Sequence, residues 1–349
     1  MMKGLVKAKA GPGNIEVREM EEPHLNEKEV LIQIVAAGIC HSDLLMVNWG
    51  PIIEKEYHPA LPLVMGHEFS GKVLEVGSQV DGFEVGGPVV VNPILTCGHC
   101  AYCLEGKQQV CSHRTLLGFQ ANGGFAERIS VRAENVYKLP ENIDLEIAAL
   151  CEPFNTVIRA FEKANPVYGD TLLISGPGPM GMLALLMGQY CGCGKIIMTG
   201  LTVDQQRLQM AEKLGAIPIN IEKENVKERV RDITQGTGVA IVIETSGSSK
   251  ALSEDLDLLK RCGKLILVGL SEDPAQFLPI AFALNETEMI GIRAYNPKTW
   301  ETCLKILASG RINLKPLITH RLPLDEGERG FQLLQKREGL KILVIPGSE

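Results

Sequence analysis

The sequence predicts an α/β protein with one mainly-β domain and a second domain built on a doubly wound parallel sheet. The chain has 349 residues, a length that suits two domains of ordinary size. Up to about residue 155 it is rich in Gly, Pro and Val, with short strand-like runs at 30–35, 71–77 and 88–91. From about residue 156, short apolar runs alternate with stretches of helical periodicity, which is the pattern of βαβ units.

The second pattern divides into individual elements. Apolar runs bounded by turn residues predict strands at 171–175, 195–199, 239–245, 265–270 and 289–294. Helical spacing predicts helices at 180–190, 204–214, 226–234, 250–260 and 300–309. This alternation of strands and helices is what a parallel sheet requires.

Composition and charge exclude several classes of protein. Apolar residues make up 45% of the chain and charged residues 22%, as is usual for globular proteins. The 35 basic and 42 acidic side chains give a net charge of −7, which argues against disorder and against nucleic-acid binding. No run reaches the roughly 18 apolar residues of a membrane-spanning helix, and no signal peptide is recognisable. We therefore expect a cytoplasmic protein, in which ten cysteines indicate metal binding or catalysis.

Four of the cysteines form a compact motif. Cys97, Cys100, Cys103 and Cys111 follow the spacing C-x2-C-x2-C-x7-C. Four thiolates complete the tetrahedral shell of a zinc ion, and a closed shell is structural because it leaves no position for substrate. The alternatives are an iron–sulfur cluster, four unrelated buried cysteines, or a nucleic-acid-binding zinc ribbon, which the acidic charge disfavours.

A second set of potential metal ligands is spread over the first half of the sequence. Its members are a cysteine, a histidine and two glutamates, namely Cys40, His67, Glu68 and Glu152. Taken singly, each is more often a core or surface residue, but a catalytic zinc takes about three such ligands and keeps one position open. Ser42 carries a hydroxyl suited to passing on the proton of an alcohol, and Asp43 is placed to orient a ligand.

A glycine-rich turn follows the strand predicted at 171–175. The turn has the pattern G-x-G-x-x-G, and its residues include Gly176, Gly178, Pro179, Met180 and Gly181. The glycines permit a tight turn and a close approach of the backbone to a pyrophosphate, which then meets the helix N-terminus. A purely structural turn is the alternative, but the strand–turn–helix context favours a site for NAD or NADP.

The end of the next predicted strand bears on the choice between these two cofactors. An acidic residue about 20 positions after the glycine turn usually binds the adenosine ribose. Here the strand ends at Thr199 and Gly200 without Asp or Glu, so the charge that would repel a 2′-phosphate is missing. Arg207, with Thr199 and Thr202, offers contacts to such a phosphate, although Arg207 equally suits an exposed helix position. The sequence therefore favours NADP over NAD.

Together these motifs make the chain resemble the zinc-dependent medium-chain alcohol dehydrogenases, in the branch of sorbitol and other polyol dehydrogenases and threonine dehydrogenase. The resemblance extends over essentially the whole chain and is carried by segments 38–43, 66–68, 97–111, 151–153, 176–181 and 314–320. It implies a GroES-like catalytic domain at 1–155 and 295–349 around a Rossmann cofactor domain at 156–294.

The resemblance also implies an activity and its machinery. The implied reaction is the reversible oxidation of a secondary alcohol, a polyol or sugar alcohol, to a ketone with hydride transfer to NAD or NADP. It implies two zinc ions per subunit: a structural one in the four-cysteine motif, and a catalytic one held by Cys40, His67 and Glu68. Glu152 would ligate the catalytic zinc or hold a water on it, and Ser42 would begin the proton relay. Homodimers and homotetramers are both expected.

Two alternative functions remain open at this point. One is the oxidation of an amino alcohol of the threonine type, since both branches share the same ligands. The other is a non-catalytic structural or regulatory zinc protein on the same fold. The chain also departs from the family pattern at three places: a turn acid is missing at Gly86-Gly87, Gly200 replaces the acid typical of NAD-dependent members, and Arg293 matches a substrate-binding arginine only across a gap.

Overall fold

The computed structural model describes residues 1–347, which divide into two units. One unit comprises residues 1–153 together with the segment from residue 296 onward, and the other comprises residues 154–295. Among the described helices, none is both long and apolar enough to cross a membrane.

The first unit is built mainly from short strands. Up to residue 153 they are β1 (Met2–Lys7), β2 (Ile15–Met20), β3 (Glu29–Gly38), β4 (Leu63–Val64), β5 (Glu68–Val76), β6 (Pro88–Val91), β7 (Ile94–Leu95), β8 (Thr115–Leu116), β9 (Arg128–Arg132) and β10 (Val136–Lys138). The helices there are α1 (His41–Asn48), α2 (Ala101–Leu104), α3 (Leu145–Ala148) and the start of α4 (Cys151–Ala164), and a π-helical turn covers Ile53–Tyr57.

The second unit holds a six-stranded sheet in which every neighbouring pair is parallel. Its strands are β11 (Thr171–Ser175), β12 (Lys195–Gly200), β13 (Ile217–Asn220), β14 (Val239–Glu244), β15 (Leu259–Leu267) and β16 (Glu288–Gly291). Its helices after α4 are α5 (Pro179–Tyr190), α6 (Gln205–Lys213), α7 (Val226–Ile233), α8 (Ser249–Leu256) and α9 (Pro279–Asn285). The strand order β13-β12-β11-β14-β15-β16 is the doubly wound order, which confirms the predicted fold class.

The core of this sheet explains why its strands read as continuous apolar runs. Every residue of β14 is buried, and Leu173, Ile197 and Val242 join one cluster with the apolar faces of α7 and α8. A parallel sheet covered by helices on both faces has no solvated face, so alternation of apolar and polar residues is lost.

Several details of this unit differ from the sequence prediction, which lacked helices α4 and α9 and strand β13. Strand β13 contains Pro218, and its place at the edge of the sheet is one where proline is tolerated. The helix predicted at 250–260 ends at Leu256, and β15 begins already at Leu259. The early part of β15 is an irregular strand. Its register against β14 shifts, and Cys262 has a positive φ of 57°.

The chain then returns to the first unit through α10 (Pro297–Ala308), β17 (Ile318–Pro323), α11 (Gly327–Gln335) and β18 (Lys341–Ile345). Strand β18 pairs with β3, with Leu343 opposite Gly38, and extends the sheet to the order β10-β6-β5-β3-β18-β17. Strand β9 also pairs with β3. At the end of β3, Gly38 therefore lies between Glu68 on β5 and Leu343 on β18, two residues from distant parts of the sequence.

Candidate functional site

Three of the predicted metal ligands meet where β3 ends and β5 begins. Cys40 caps the N-terminus of α1 just after β3, and His67 and Glu68 stand at the start of β5. The antiparallel register of β3 and β5 sets Gly38 opposite Glu68. A side chain at Gly38 would collide with the Glu68 carboxylate, so this close approach requires glycine. The ligand atoms of Cys40, His67 and Glu68 all lie within 4.8 Å of one another, and we call these residues the Cys–His–Glu group.

His67 is held from both sides of its ring. Its Nδ1 lies 3.2 Å from Asp43 Oδ1, and its Nε2 lies 3.3 Å from the Ser42 hydroxyl. The second oxygen of Asp43 accepts the backbone N–H of Cys40 at 2.9 Å. Burial alone would lower the pKa of His67, but the charge and hydrogen bond of Asp43 raise it well above the usual value. Asp43 thus orients two members of the group, as carboxylates commonly do for metal-bound histidines.

Glu68 is fully buried, and its two oxygens have different surroundings. Oε2 accepts from Lys341 Nζ at 2.5 Å, and Lys341 also donates to the Ile39 carbonyl at 3.3 Å. Oε1 is buried and has no hydrogen-bond partner within residues 1–347. A buried acceptor without a partner is costly, and a bound cation would satisfy it. This donor set of thiolate, imidazole and carboxylate therefore fits a zinc ion.

Lys341 is a site residue that the sequence analysis missed. It lies on β18 and is almost fully buried. Burial lowers the pKa of Lys341, but the charges of Glu68, Cys40 and Glu152 outweigh that effect and raise it above the ordinary value. The only signal in the sequence was a lysine inside the apolar run 340–345.

Glu152 stands apart from the three gathered ligands. It lies in the first turn of α4 and is near enough to Lys341 for its charge to raise the pKa of that lysine. Among the described residues, the group with mutually close ligand atoms at this place contains Cys40, His67 and Glu68 and not Glu152. Its predicted role at the metal stays a prediction.

An aromatic wall adjoins the Cys–His–Glu group. The ring of Phe119 meets that of His67 edge-on at 5.5 Å between centroids, and Tyr57 packs on Phe119 at 4.7 Å. Such a wall offers an apolar surface beside the polar ligands, a combination typical of small-molecule sites.

The four cysteines at residues 97–111, here called the cysteine lobe, converge on one point. The Sγ atom of Cys97 lies 3.9 Å from that of Cys103 and 3.5 Å from that of Cys111, and Cys100 Sγ lies 3.9 Å from Cys111 Sγ. These separations exceed a disulfide bond, at about 2.05 Å. They match the edge of a zinc–thiolate tetrahedron, which is about 3.8 Å for Zn–S bonds of about 2.3 Å.

Backbone N–H groups of the cysteine lobe point at its sulfur atoms and stabilise negative charge on them. The N–H of Cys100 points to Cys97 Sγ at 3.3 Å, and the N–H of His113 points to Cys111 Sγ at 3.4 Å. Backbone hydrogen bonds, from Ser112 first and Cys103 second, lower the pKa of the Cys100 thiol to about 6. Burial first, and contacts with Cys100 and Cys111 second, raise the pKa of the Cys103 thiol to about 12, so a cation at the centre of the lobe is what would hold all four sulfurs as thiolates.

The glycine turn has the geometry that the motif predicts. Gly176 follows β11 with a φ of +100°, and Gly178 caps α5, whose first residue is Pro179. A side chain on Gly181 would strike the Gly176 carbonyl. A methyl group on Gly178 would meet no atom of the described chain within 4 Å, so the N-terminus of α5 is open on that side. Free N–H groups at such an opening suit a phosphate.

The residues at the end of β12 make contacts that the sequence analysis did not foresee. Thr199 is buried in the strand, and Thr202 exchanges hydrogen bonds with the Asn220 side chain. Arg207 Nη1 lies 3.9 Å from Asp204 Oδ1. The Thr202 N–H donates to the carboxylate of Glu222, a residue that sequence reasoning did not single out.

Comparison with known proteins places the chain in a family. Residues 26–141 match the alcohol dehydrogenase GroES-like domain, and residues 179–309 match the zinc-binding dehydrogenase domain. A sorbitol dehydrogenase from Halalkalibacterium halodurans is 35% identical over 348 residues, and an L-threonine 3-dehydrogenase from Bacillus velezensis is 34% identical over 350 residues, with 99% of both chains covered in each case. The solved 2R,3R-butanediol dehydrogenase from Bacillus subtilis is 31% identical with a TM-score of 0.91, covering 99% of this chain and 100% of that one. This chain belongs to the GroES-like, zinc-binding alcohol dehydrogenase family, which confirms the predicted resemblance and its class of oxidoreductase.

Proposed function

We propose that the protein is a zinc-dependent dehydrogenase that reversibly oxidises a secondary alcohol of a polyol or sugar alcohol to a ketone, with NAD or NADP as hydride acceptor. The observation that carries the proposal is the Cys–His–Glu group with the unpartnered Glu68 Oε1, in a chain that also bears a glycine turn for a dinucleotide. The sorbitol and butanediol dehydrogenases among its relatives support this class of substrate.

In this proposal, the residues of the first unit have separate tasks. Cys40, His67 and Glu68 hold the catalytic zinc, and Asp43 fixes the His67 ring through Nδ1. A zinc ion held by these three residues would supply Lewis acidity, and a nicotinamide dinucleotide bound at the glycine turn would supply the hydride acceptor. The Ser42 hydroxyl, adjacent to His67 Nε2, accepts and passes on the alcohol proton. Glu152, a further carboxylate, would ligate this zinc or hold a water on it.

The cysteine lobe is proposed to hold a second, structural zinc. All four of its coordination positions are filled by sulfur, so no position is left for substrate. The near-tetrahedral sulfur separations support this ion. An iron–sulfur cluster in the lobe would give the purified protein a visible colour, whereas a zinc protein is colourless.

The proposal also assigns a role to each domain and an oligomeric state to the protein. The catalytic domain is assigned to 1–155 and 295–349 and the cofactor domain to 156–294, in a cytoplasmic homodimer or homotetramer. Exposed apolar side chains on the second unit support self-association, because α9 and its N-cap expose three large ones: Leu278, Ile280 and Leu284. Strand β16 is the edge of the parallel sheet beside them.

Threonine-type oxidation of an amino alcohol is the second candidate. The L-threonine 3-dehydrogenase relative favours it, since its identity to this chain is almost the same as that of the sorbitol dehydrogenase. A non-catalytic zinc protein is disfavoured because the Cys–His–Glu group and the glycine turn are both present.

The test is a panel of polyols, vicinal diols and L-threonine, assayed with NAD and with NADP by nicotinamide absorbance. We expect turnover of a polyol, loss of that turnover after chelation, and recovery when zinc is added back. Metal analysis should give two zinc ions per chain. Full activity of the metal-free protein would contradict the proposal, and turnover of L-threonine alone would favour the second candidate.

A further inference from the structure

The end of β12 lacks an acid of its own, but the fold brings one there from the neighbouring strand. Strands β12 and β13 pair in parallel with Gly200 opposite Asn220. Two residues past Asn220, the chain turns so that Glu222 Oε2 accepts the Thr202 N–H at 2.7 Å. The Asn220 side chain supports this turn by accepting the Glu222 N–H at 3.1 Å. A carboxylate thus stands beside the residues that follow Gly200.

This carboxylate is both charged and accessible. Hydrogen bonds from Thr202, from its side chain first and its backbone second, lower the pKa of Glu222, and the charge of Lys223 lowers it further. The Glu222 side chain is exposed to solvent. It is therefore an ionised acceptor at the place where parallel-sheet dinucleotide sites read the adenosine ribose.

The side chains that the sequence analysis named as contacts for a 2′-phosphate have other surroundings in the structure. The Arg207 guanidinium is mostly buried and faces the Asp204 carboxylate, which balances its charge. The Thr202 hydroxyl accepts from the Asn220 side-chain amide at 3.2 Å, and Thr199 lies inside the sheet. The charged group that contacts Thr202 is thus the Glu222 carboxylate, whereas Arg207 faces Asp204.

We propose that Glu222 is the specificity-determining residue that makes this enzyme prefer NAD over NADP, replacing the acid that is absent at Gly200. The inference rests on the proposed use of a nicotinamide dinucleotide. A carboxylate accepts the hydroxyl protons of the NAD ribose, whereas it repels the 2′-phosphate of NADP. This reverses the preference for NADP that the sequence alone suggested.

The test is direct binding of NAD and of NADP to the purified, zinc-loaded protein by isothermal titration calorimetry. We expect the wild type to bind NAD at least about tenfold more tightly than NADP. In Glu222→Gln, the ratio of the NADP dissociation constant to the NAD dissociation constant should fall by about tenfold. In Glu222→Lys, that ratio should fall further, or NADP should bind more tightly than NAD. Glu212→Gln is the matched control, because it removes an exposed charge from the far end of α6, about 12 Å along the helix from Asp204. The ratio of the NADP and NAD dissociation constants of Glu212→Gln should stay within about twofold of the wild-type ratio.

Three other results of this experiment would contradict the role proposed for Glu222. A wild-type preference for NADP, or an unchanged ratio in both Glu222 variants while NAD and NADP still bind, would overturn the role of Glu222 and leave the proposed function intact. Binding of neither dinucleotide to a folded wild type would overturn both. Circular dichroism of each variant confirms that the fold is retained.

Discussion

The two candidate metal sites of the first unit are assembled in opposite ways. The cysteine lobe takes all its ligands from residues 97–111, which are joined by short loops. The Cys–His–Glu group takes its ligands from the end of β3 and the start of β5, and its cationic partner Lys341 from β18. A local site needs only its own loop to close, whereas a distributed site exists only when the sheet around it is complete. The comparison predicts different consequences when a residue of each site is changed.

The largest effect is expected for Cys40→Ser. Losing this residue should lower kcat/KM by about a thousandfold or more, because the proposed catalytic zinc would lose one of its ligands. The thermal unfolding midpoint should change little, since Cys40 follows a strand that is already fixed by its pairing with β5. Steady-state kinetics and calorimetry test both statements. The control is Cys191→Ser, a half-buried thiol outside both sites, which should retain activity.

Lys341→Met tests how far the distributed site depends on its buried charge pair. Removing one partner of a buried pair costs about 3–5 kcal/mol of unfolding free energy, because Glu68 is left charged without compensation. Urea unfolding of the metal-free protein measures this loss. The double variant Lys341→Met/Glu68→Gln should recover most of it. A Lys341→Met protein as stable as wild type without metal would show that the pair contributes nothing.

Cys103→Ser should act first on stability. The lobe loses a zinc ligand, and we expect a loss of about 2–3 kcal/mol together with one zinc ion per chain. Activity measured well below the new unfolding midpoint should be close to that of wild type. If activity falls while stability is unchanged, the lobe does not have the structural role assigned to it.

Asp43→Asn is expected to have the smallest effect of this series. The amide keeps the shape of the side chain but weakens its contacts with the His67 ring and the Cys40 N–H. Loss of such an orienting carboxylate typically lowers metal affinity or activity by about 10- to 100-fold. Zinc titration against a competing chelator measures the affinity. An unchanged affinity would show that His67 is held by other contacts.

The same comparison explains what the sequence revealed. The cysteine lobe was predicted as one unit because its ligands share a short segment and a regular spacing. The parallel sheet was predicted because its buried strands are continuous apolar runs between helices. Lys341 and Glu222 were missed because each acts on a residue that only strand pairing brings near, across β18–β3 in one case and β12–β13 in the other. Pairing partners are set by the fold, so a spacing rule along the chain does not show them.

The position of β18 has a consequence for the order in which the protein is made. The ribosome produces the whole second unit before it produces the strand that brings Lys341 to Glu68. The continuous unit can fold while the chain is still growing, since domains generally fold as units during synthesis. The Cys–His–Glu group, by contrast, gains its charge partner only after the whole second unit has been synthesised. A release of the chain before β18 would therefore give a folded second unit together with a Cys–His–Glu group that lacks Lys341.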